Sequence, residues 1–246
     1  MKPIVFLHNP KAGGTSLSVF LRNMYQTNEV APVLESSASA RCSDIWLDYL
    51  DCKFIAGHFG HEVREQYYPT YGLITNFRHP FDRILSLYRF WKFIPESQFV
   101  KLPAISGPSF ARRMSFNDFV RSDEPFLSKY INNFHTRQLV RSGWDYWKCD
   151  DKDFEIAAQR IDSMDWFFVC ELPIISIAWL NNIFPQVKCP IDLSRMNQTI
   201  KTSTDHVDID LIRLVLERNH YDMKLYQMAL RIINKKTWGC PMKFMS

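Results

Sequence analysis

A lysine, two glycines, a threonine and a serine stand together in "IVFLHNPKAGGTSLSVFL", Ile4 to Leu21. Lys11 brings a full positive charge on a flexible stem. Gly13 and Gly14 let backbone N–H groups come close to an oxyanion, and Thr15 and Ser16 add hydroxyls. An apolar run precedes the group and an apolar-periodic run follows it, so the residues occupy a strand-to-helix turn. A helix N-terminus has unpaired N–H groups and a partial positive charge, and both favour an anion. The chemistry this turn suits is the binding of phosphate or a similar anion. It is not the ATP/GTP loop, GxxxxGK[ST], in which the lysine follows the glycines; here Lys11 precedes them.

Two other places carry chemistry. In "ITNFRHPFDRILSLYRF" Arg78 closes an apolar run, Pro80 starts a helix and Ser86 lies two turns into it. Arg78 and Ser86 could hold one anionic group between them, while Arg83 reads as half of a structural ion pair. In "FIAGHFGHEV" His58 follows another apolar run. A neutral imidazole near physiological pH is suited to accept a proton, so His58 is the first candidate base and His61 the second. His8, just before the lysine turn, reads as structural.

These groups need a frame that brings them to one place. Ile4–Leu7, Lys53–Ala56, Leu73–Phe77 and the "WFFVC" run Trp166–Cys170 have the character of short buried strands. Helical patterns separate them, over Thr15–Met24, Phe81–Trp91, "DKDFEIAAQRID" and "DIDLIRLVLERNHYDMKLYQMALRII". Strands alternating with helices imply parallel pairing through crossovers. A parallel sheet binds ligands at the carboxyl ends of its strands, and Lys11, His58 and Arg78 each follow a strand. The segment from Trp91 to Ser115 reads as a long loop, and Ser115 to Val140 as one or two helices. The expected fold is α/β, a central parallel sheet flanked by helices, in a single domain over residues 1–246.

Composition narrows the function classes. The balance of 30 Lys+Arg against 26 Asp+Glu, a net of +4, gives no argument for nucleic acid as a partner. No apolar stretch reaches the roughly 18 residues that a membrane span needs. The first apolar run is too short for the core of a signal peptide. Cys42, Cys52, Cys149, Cys170, Cys189 and Cys240 include no CxxC pair and no zinc spacing. They read as free thiols in a reducing compartment, so the expected location is cytoplasmic.

The two anion-binding elements together resemble those of the PAPS-dependent sulfotransferases, PAPS being 3′-phosphoadenosine 5′-phosphosulfate. "PKAGGTS" is similar to the family's 5′-phosphosulfate loop and "FRHPFDRILSLY" to its 3′-phosphate motif, in the same order. The Gly-His of "FIAGHFGHEV" resembles the heparan sulfate 2-O-sulfotransferase-like branch. So do "NNFHTRQLVRSG", "FVCELPIISIAWL", "SRMNQTIKTS" and "NHYDMKLYQMAL", so that the resemblance runs over nearly the whole chain. It implies the P-loop NTPase-like sulfotransferase fold and transfer of a sulfuryl group from PAPS to a hydroxyl or amine, with no metal. It also implies Lys11 opposite the leaving phosphate and His58 as general base. Lys11, Ala12, Gly13, Gly14, Thr15, Ser16, Arg78, Ser86 and Asn197 would bind the cofactor. The branch often carries a second histidine two residues before the first; here that residue is Ala56.

The glycan-modifying relatives in animals are usually anchored in the Golgi, and this chain starts almost at its first strand. The expectation is therefore a soluble, bacterial member acting on a saccharide, a lipid-linked glycan or a small hydroxylated compound. The stretch "WKFIPESQFVKLPAISGPSFARR" is the candidate acceptor wall, where Arg112 and Arg113 could meet an anionic glycan; as a pair they read more simply as solvated basic residues. Trp144 and Trp147 are residues that could flank an acceptor. Two other classes fit less well. A kinase or other phosphate-transfer enzyme would need a variant loop, and a non-catalytic nucleotide-binding protein would have no use for a base.

Overall fold

The structure is a computed structural model, and it describes residues 2–32, 43–142, 144–185 and 208–238. Four strands form one sheet: β1 (Ile4–Leu7), β2 (Phe54–Gly57), β3 (Gly72–Phe77) and β4 (Phe168–Val169). Their order is β2-β1-β3-β4 and every pairing is parallel. Leu7 lies opposite Gly57 on one side and Thr75 on the other, and Phe77 lies opposite Val169. All four residues of β1 and of β2 are buried. That is why they are apolar runs without alternation, as expected of strands covered on both faces.

The helices among the described residues are α1 (Gly14–Arg22), α2 (His61–Tyr67), α3 (Pro80–Lys92), α4 (Glu96–Phe99), α5 (Gly107–Arg113), α6 (Phe116–Arg121), α7 (Pro125–Ile131), α8 (Phe134–Val140), α9 (Asp151–Asp162), α10 (Pro173–Ile183), α11 (Ile209–Arg218) and α12 (His220–Trp238). They share two apolar clusters. One holds the strands together with side chains of α1, α9, α10 and α12, including Leu17, Ile161, Leu180 and Leu225. The other joins α3, α5, α6, α7 and α11 through Ile84, Tyr88, Phe110, Phe119, Leu127 and Val215.

Start signals in the sequence account for many of the helices. Pro80 opens α3, Asp150 and Asp153 form a capping box on α9, and the side chain of Asp208 accepts from Leu211 N–H at the start of α11. Three expectations are revised. The segment from Trp91 to Ser115 is not all loop: it contains α4 and α5, and at Gly107, the first residue of α5, a Cβ would stand 2.4 Å from the Trp91 ring. Ser115 to Val140 holds three short helices rather than one or two.

The last helical pattern is two helices, broken at Asn219. That side chain is buried and donates to the carbonyls of Ile131 and Val215 while accepting from Asn133 N–H. The break allows a reciprocal cap. Asn133 accepts from the N–H groups of Tyr221 and Asp222, and Asp222 accepts from those of His135 and Thr136. Each helix start is thereby satisfied by the other.

Cys52, Cys149 and Cys170 are free thiols, while Cys42, Cys189 and Cys240 lie outside the described residues. Among the described residues, no helix is long and apolar enough to cross a membrane.

Candidate functional site

The residue that follows each strand stands at the same edge of the sheet: His8 after β1, His58 after β2, Arg78 after β3 and Cys170 after β4. The chain leaves β1 toward β2 on one side and returns to β3 on the other, so the strand order reverses at β1. Such a point opens a crevice between neighbouring loops. The loop from β1 to α1 lies there.

That loop has an unusual backbone. Lys11 has φ of 66° and Gly13 of 79°, both in the left-handed region. For Gly13 this is easy, but for a lysine it costs of order 1 kcal/mol. The loop is held in this shape from β3. The buried side chain of Asn76 accepts from Asn9 N–H at 2.8 Å and donates to the carbonyls of Asn9 and Ala12 at 3.0 and 2.9 Å. Beside it, Arg78 Nη1 donates to the Lys11 carbonyl at 3.0 Å. The arginine and the lysine loop, 67 positions apart in sequence, are thus one unit.

Helix α1 starts directly from this loop. Gly13 caps it without a side-chain hydrogen bond, and its first turn contains no acidic residue. Its early N–H groups therefore face no carboxylate of the same turn, which suits an anion. Ala12, Gly14 and Ser16 are buried, while Gly13 and Thr15 are exposed. The Lys11 ammonium lies over the Phe90 ring, 4.0 Å from its centroid. Phe90 itself is half-exposed, on the last turn of α3.

Gly14 is required for a different reason. A Cβ there would lie 2.0 Å from Cδ2 and 2.2 Å from Nε2 of His8. The His8 ring, 3% exposed, packs straight onto the loop. Burial, then the nearby His58 and Lys11, push its imidazole well below the usual range, so it is neutral. It stacks on Phe6 and meets the His58 ring at a centroid distance of 4.5 Å. Gln138 braces both strand ends, donating to the carbonyls of His8 and Phe59.

His58 is half-buried and also faces Trp144, with ring centroids 6.1 Å apart. His61 is placed differently. It is the first residue of α2, buried, with Nδ1 3.8 Å from Glu65. Burial, Arg160 and Arg64 hold its imidazole down at about 3, where it is a poor proton acceptor near neutrality. Its neighbour Glu62 is pushed up to about 7 by burial.

The other sequence-derived residues are spread less favourably. Ser86 is buried on α3 and makes no hydrogen bond to Arg78 or to the loop among the described contacts. Among the described residues, Arg83 has no acidic partner in an ion pair. It is fully buried, donates to the Tyr130 carbonyl and stacks on Phe134, and burial lowers its guanidinium to about 10. Arg112 is not simply solvated: it is bonded to Glu96 and to the Ile94 carbonyl and lies on the Phe99 ring. Asn197 lies outside the described residues.

Two further residues shape the site, Asn76 and Gln138. Asn76 is a polar residue inside an apolar strand, a signal that was available. Gln138 has none, because it reaches the site from a helix far along the chain. Compared with known protein families and with curated proteins, the chain matches none.

Proposed function

We propose that this protein is a PAPS-dependent sulfotransferase on the P-loop NTPase-like sulfotransferase fold, moving a sulfuryl group to a hydroxyl of a saccharide or hydroxylated small molecule. The observation that carries the reading is the bond from Arg78 to the Lys11 carbonyl. It joins the two anion-binding elements at the reversal point of the sheet, with His58 directly after the adjacent strand β2. A nucleotide with phosphates at both its 5′ and 3′ positions suits two linked cationic elements better than one.

The residues present fit such a ligand. The first turn of α1 is free of carboxylates, and Gly14 leaves the loop backbone close-packed over His8. Lys11, Ala12, Gly13, Gly14, Thr15 and Ser16 would hold the 5′ group, and Arg78 with Ser86 the 3′-phosphate. A guanidinium suits phosphate because its planar fork can give two parallel bonds. PAPS supplies, when bound, the activated sulfuryl group. Lys11 offers a positive charge where negative charge grows on the leaving oxygen. His58 accepts the proton of the acceptor hydroxyl.

The test is turnover of radiolabelled PAPS against a panel of saccharide and phenolic acceptors. Wild-type protein should transfer label. Lys11→Ala and His58→Ala should each lose about 10²-fold or more, the range for a removed charge stabiliser or general base. Full turnover by His58→Ala would remove it as the base. Transfer from ATP in place of PAPS would replace the reading with a phosphate-transfer enzyme.

A further inference from the structure

His58 has a partner that the spacing of the sequence hides. Leu7 and Gly57 are opposite one another in the parallel ladder, and the ladder continues one step, with His8 N–H donating to the Gly57 carbonyl at 2.9 Å. His8 and His58 are therefore the next pair in register, on the same face of the sheet. Their rings touch, with centroids 4.5 Å apart and planes tilted by 58°. Phe6 lies beneath His8, two residues back on the same face, and Gly14 lies against its edge. The imidazole thus spans the distance from the anion loop to His58 and is fixed by both.

Resting on the sulfotransferase reading, we propose that His8 is a positioning residue for His58: the two imidazoles form one proton-binding pair across the β1–β2 gap, in which His8 stays neutral and stabilises the charge that His58 gains. Two imidazolium ions in van der Waals contact repel strongly, so the pair holds one proton and not two. When the acceptor O–H bond breaks, its electron pair stays on the acceptor oxygen and the proton goes to the ring lone pair of His58. The positive charge then appears beside a neutral ring whose nitrogen and π-face both favour it. The same contact sets where the His58 ring stands relative to Gly14, and so relative to the transferred group.

The elements around the pair carry other charges: Lys11 on the loop, Arg78 after β3, Glu62 at the start of α2, and Arg141 and Asp145 on either side of Ser142 and Trp144. Lys11 opposes protonation of His8 directly. Near it, His58 is the better placed of the two to take the proton, because it is only half-buried.

The experiment is a pH titration of the ligand-free protein labelled with ¹⁵N-histidine, read by NMR, for wild type, His8→Phe and His8→Gln. In wild type, one proton should enter the pair between about pH 5 and 8, at His58. His8→Phe keeps a ring but removes its nitrogens, and should lower the His58 midpoint by about half to one unit, roughly three- to ten-fold in proton affinity. His8→Gln restores a polar partner and should return part of the shift. An unmoved His58 midpoint in the folded variants, or separate protonation of both rings in this range, overturns the pairing. Should His8→Phe fail to fold, His8→Gln and the wild-type proton count still decide. Titrations with PAP, the 3′,5′-bisphosphate that PAPS leaves after transfer, on the same samples keep the two questions apart: a wild-type protein that ignores PAP removes the sulfotransferase reading while the pairing result stands.

Discussion

Replacing Gly14 by alanine tests the packing of the site without touching a charged group. The added Cβ would fall 2.0 and 2.2 Å from two atoms of the His8 ring and 2.9 Å from Asn76 Nδ2. The ring has little room to retreat, since Phe6 lies stacked along it and His58 stands 4.5 Å away. Forcing one carbon into such a place costs about 1–3 kcal/mol. For a chain of this size that corresponds to a fall in melting temperature of about 2–4 °C per kcal/mol. The backbone itself is no obstacle, because Gly14 does not have positive φ. Most of the cost should therefore be lost when the ring is removed: in a His8→Ala background only the 2.9 Å approach to Asn76 Nδ2 remains, so Gly14→Ala should cost clearly less, a coupling of about 1–2 kcal/mol between the two sites. Gly13→Ala is the control. Its φ of 79° strains any alanine, but its nearest neighbours would be Phe168 and Cys170 at 3.3 and 3.5 Å, so its cost should be the same with or without His8. Urea melts of the four-member cycle decide. Equal costs of Gly14→Ala in both backgrounds would refute the placement of His8 against the loop.

Two other outcomes follow from the same geometry. Asn76→Ala strips partners from Asn9 N–H and from the Asn9 and Ala12 carbonyls. It should lower stability by about 2–4 kcal/mol in urea melts and weaken PAP binding, whereas unchanged PAP affinity would mean the loop keeps its shape without β3. Acid should destabilise the fold. His61 and His135 are held neutral down to about 3 and about 4, mainly by burial, and His8 is lowered too. An unfolded histidine takes its proton near about 6.5, so below that pH the unfolded chain binds more protons and stability falls by about 1.4 kcal/mol per unit for each histidine. Glu62, raised to about 7, works in the opposite sense, since the folded chain then holds the extra proton, but it offsets only one of them. Urea midpoints that stay flat from pH 7 to pH 5 would contradict this.

The frame was legible because short-range rules decide it. Ile4–Leu7 is an uninterrupted apolar run ended by a turn, and it is β1 at those bounds. Pro80 and Asp150 announce helices that begin where they stand. The positions of Lys11, His58 and Arg78 at one edge followed from parallel pairing alone. What was not legible depends on contacts between distant segments. The break at Asn219 exists because Ile131 and Asn133 supply partners from 88 and 86 positions away. His8 reads as structural until the register of β1 on β2 sets it beside His58. Arg83 suggested an ion pair because charge is visible in sequence and burial against Phe134 is not.

Whether Lys11, its loop and Arg78 form one nucleotide site is decided by titration calorimetry with PAP. ATP and AMP serve as controls, and Arg78→Ala is titrated alongside. PAP should bind well and the controls poorly, and Arg78→Ala should weaken PAP by about ten-fold or more, as expected for loss of a charge-assisted phosphate contact. No binding of PAP, or equal binding of ATP, would contradict it.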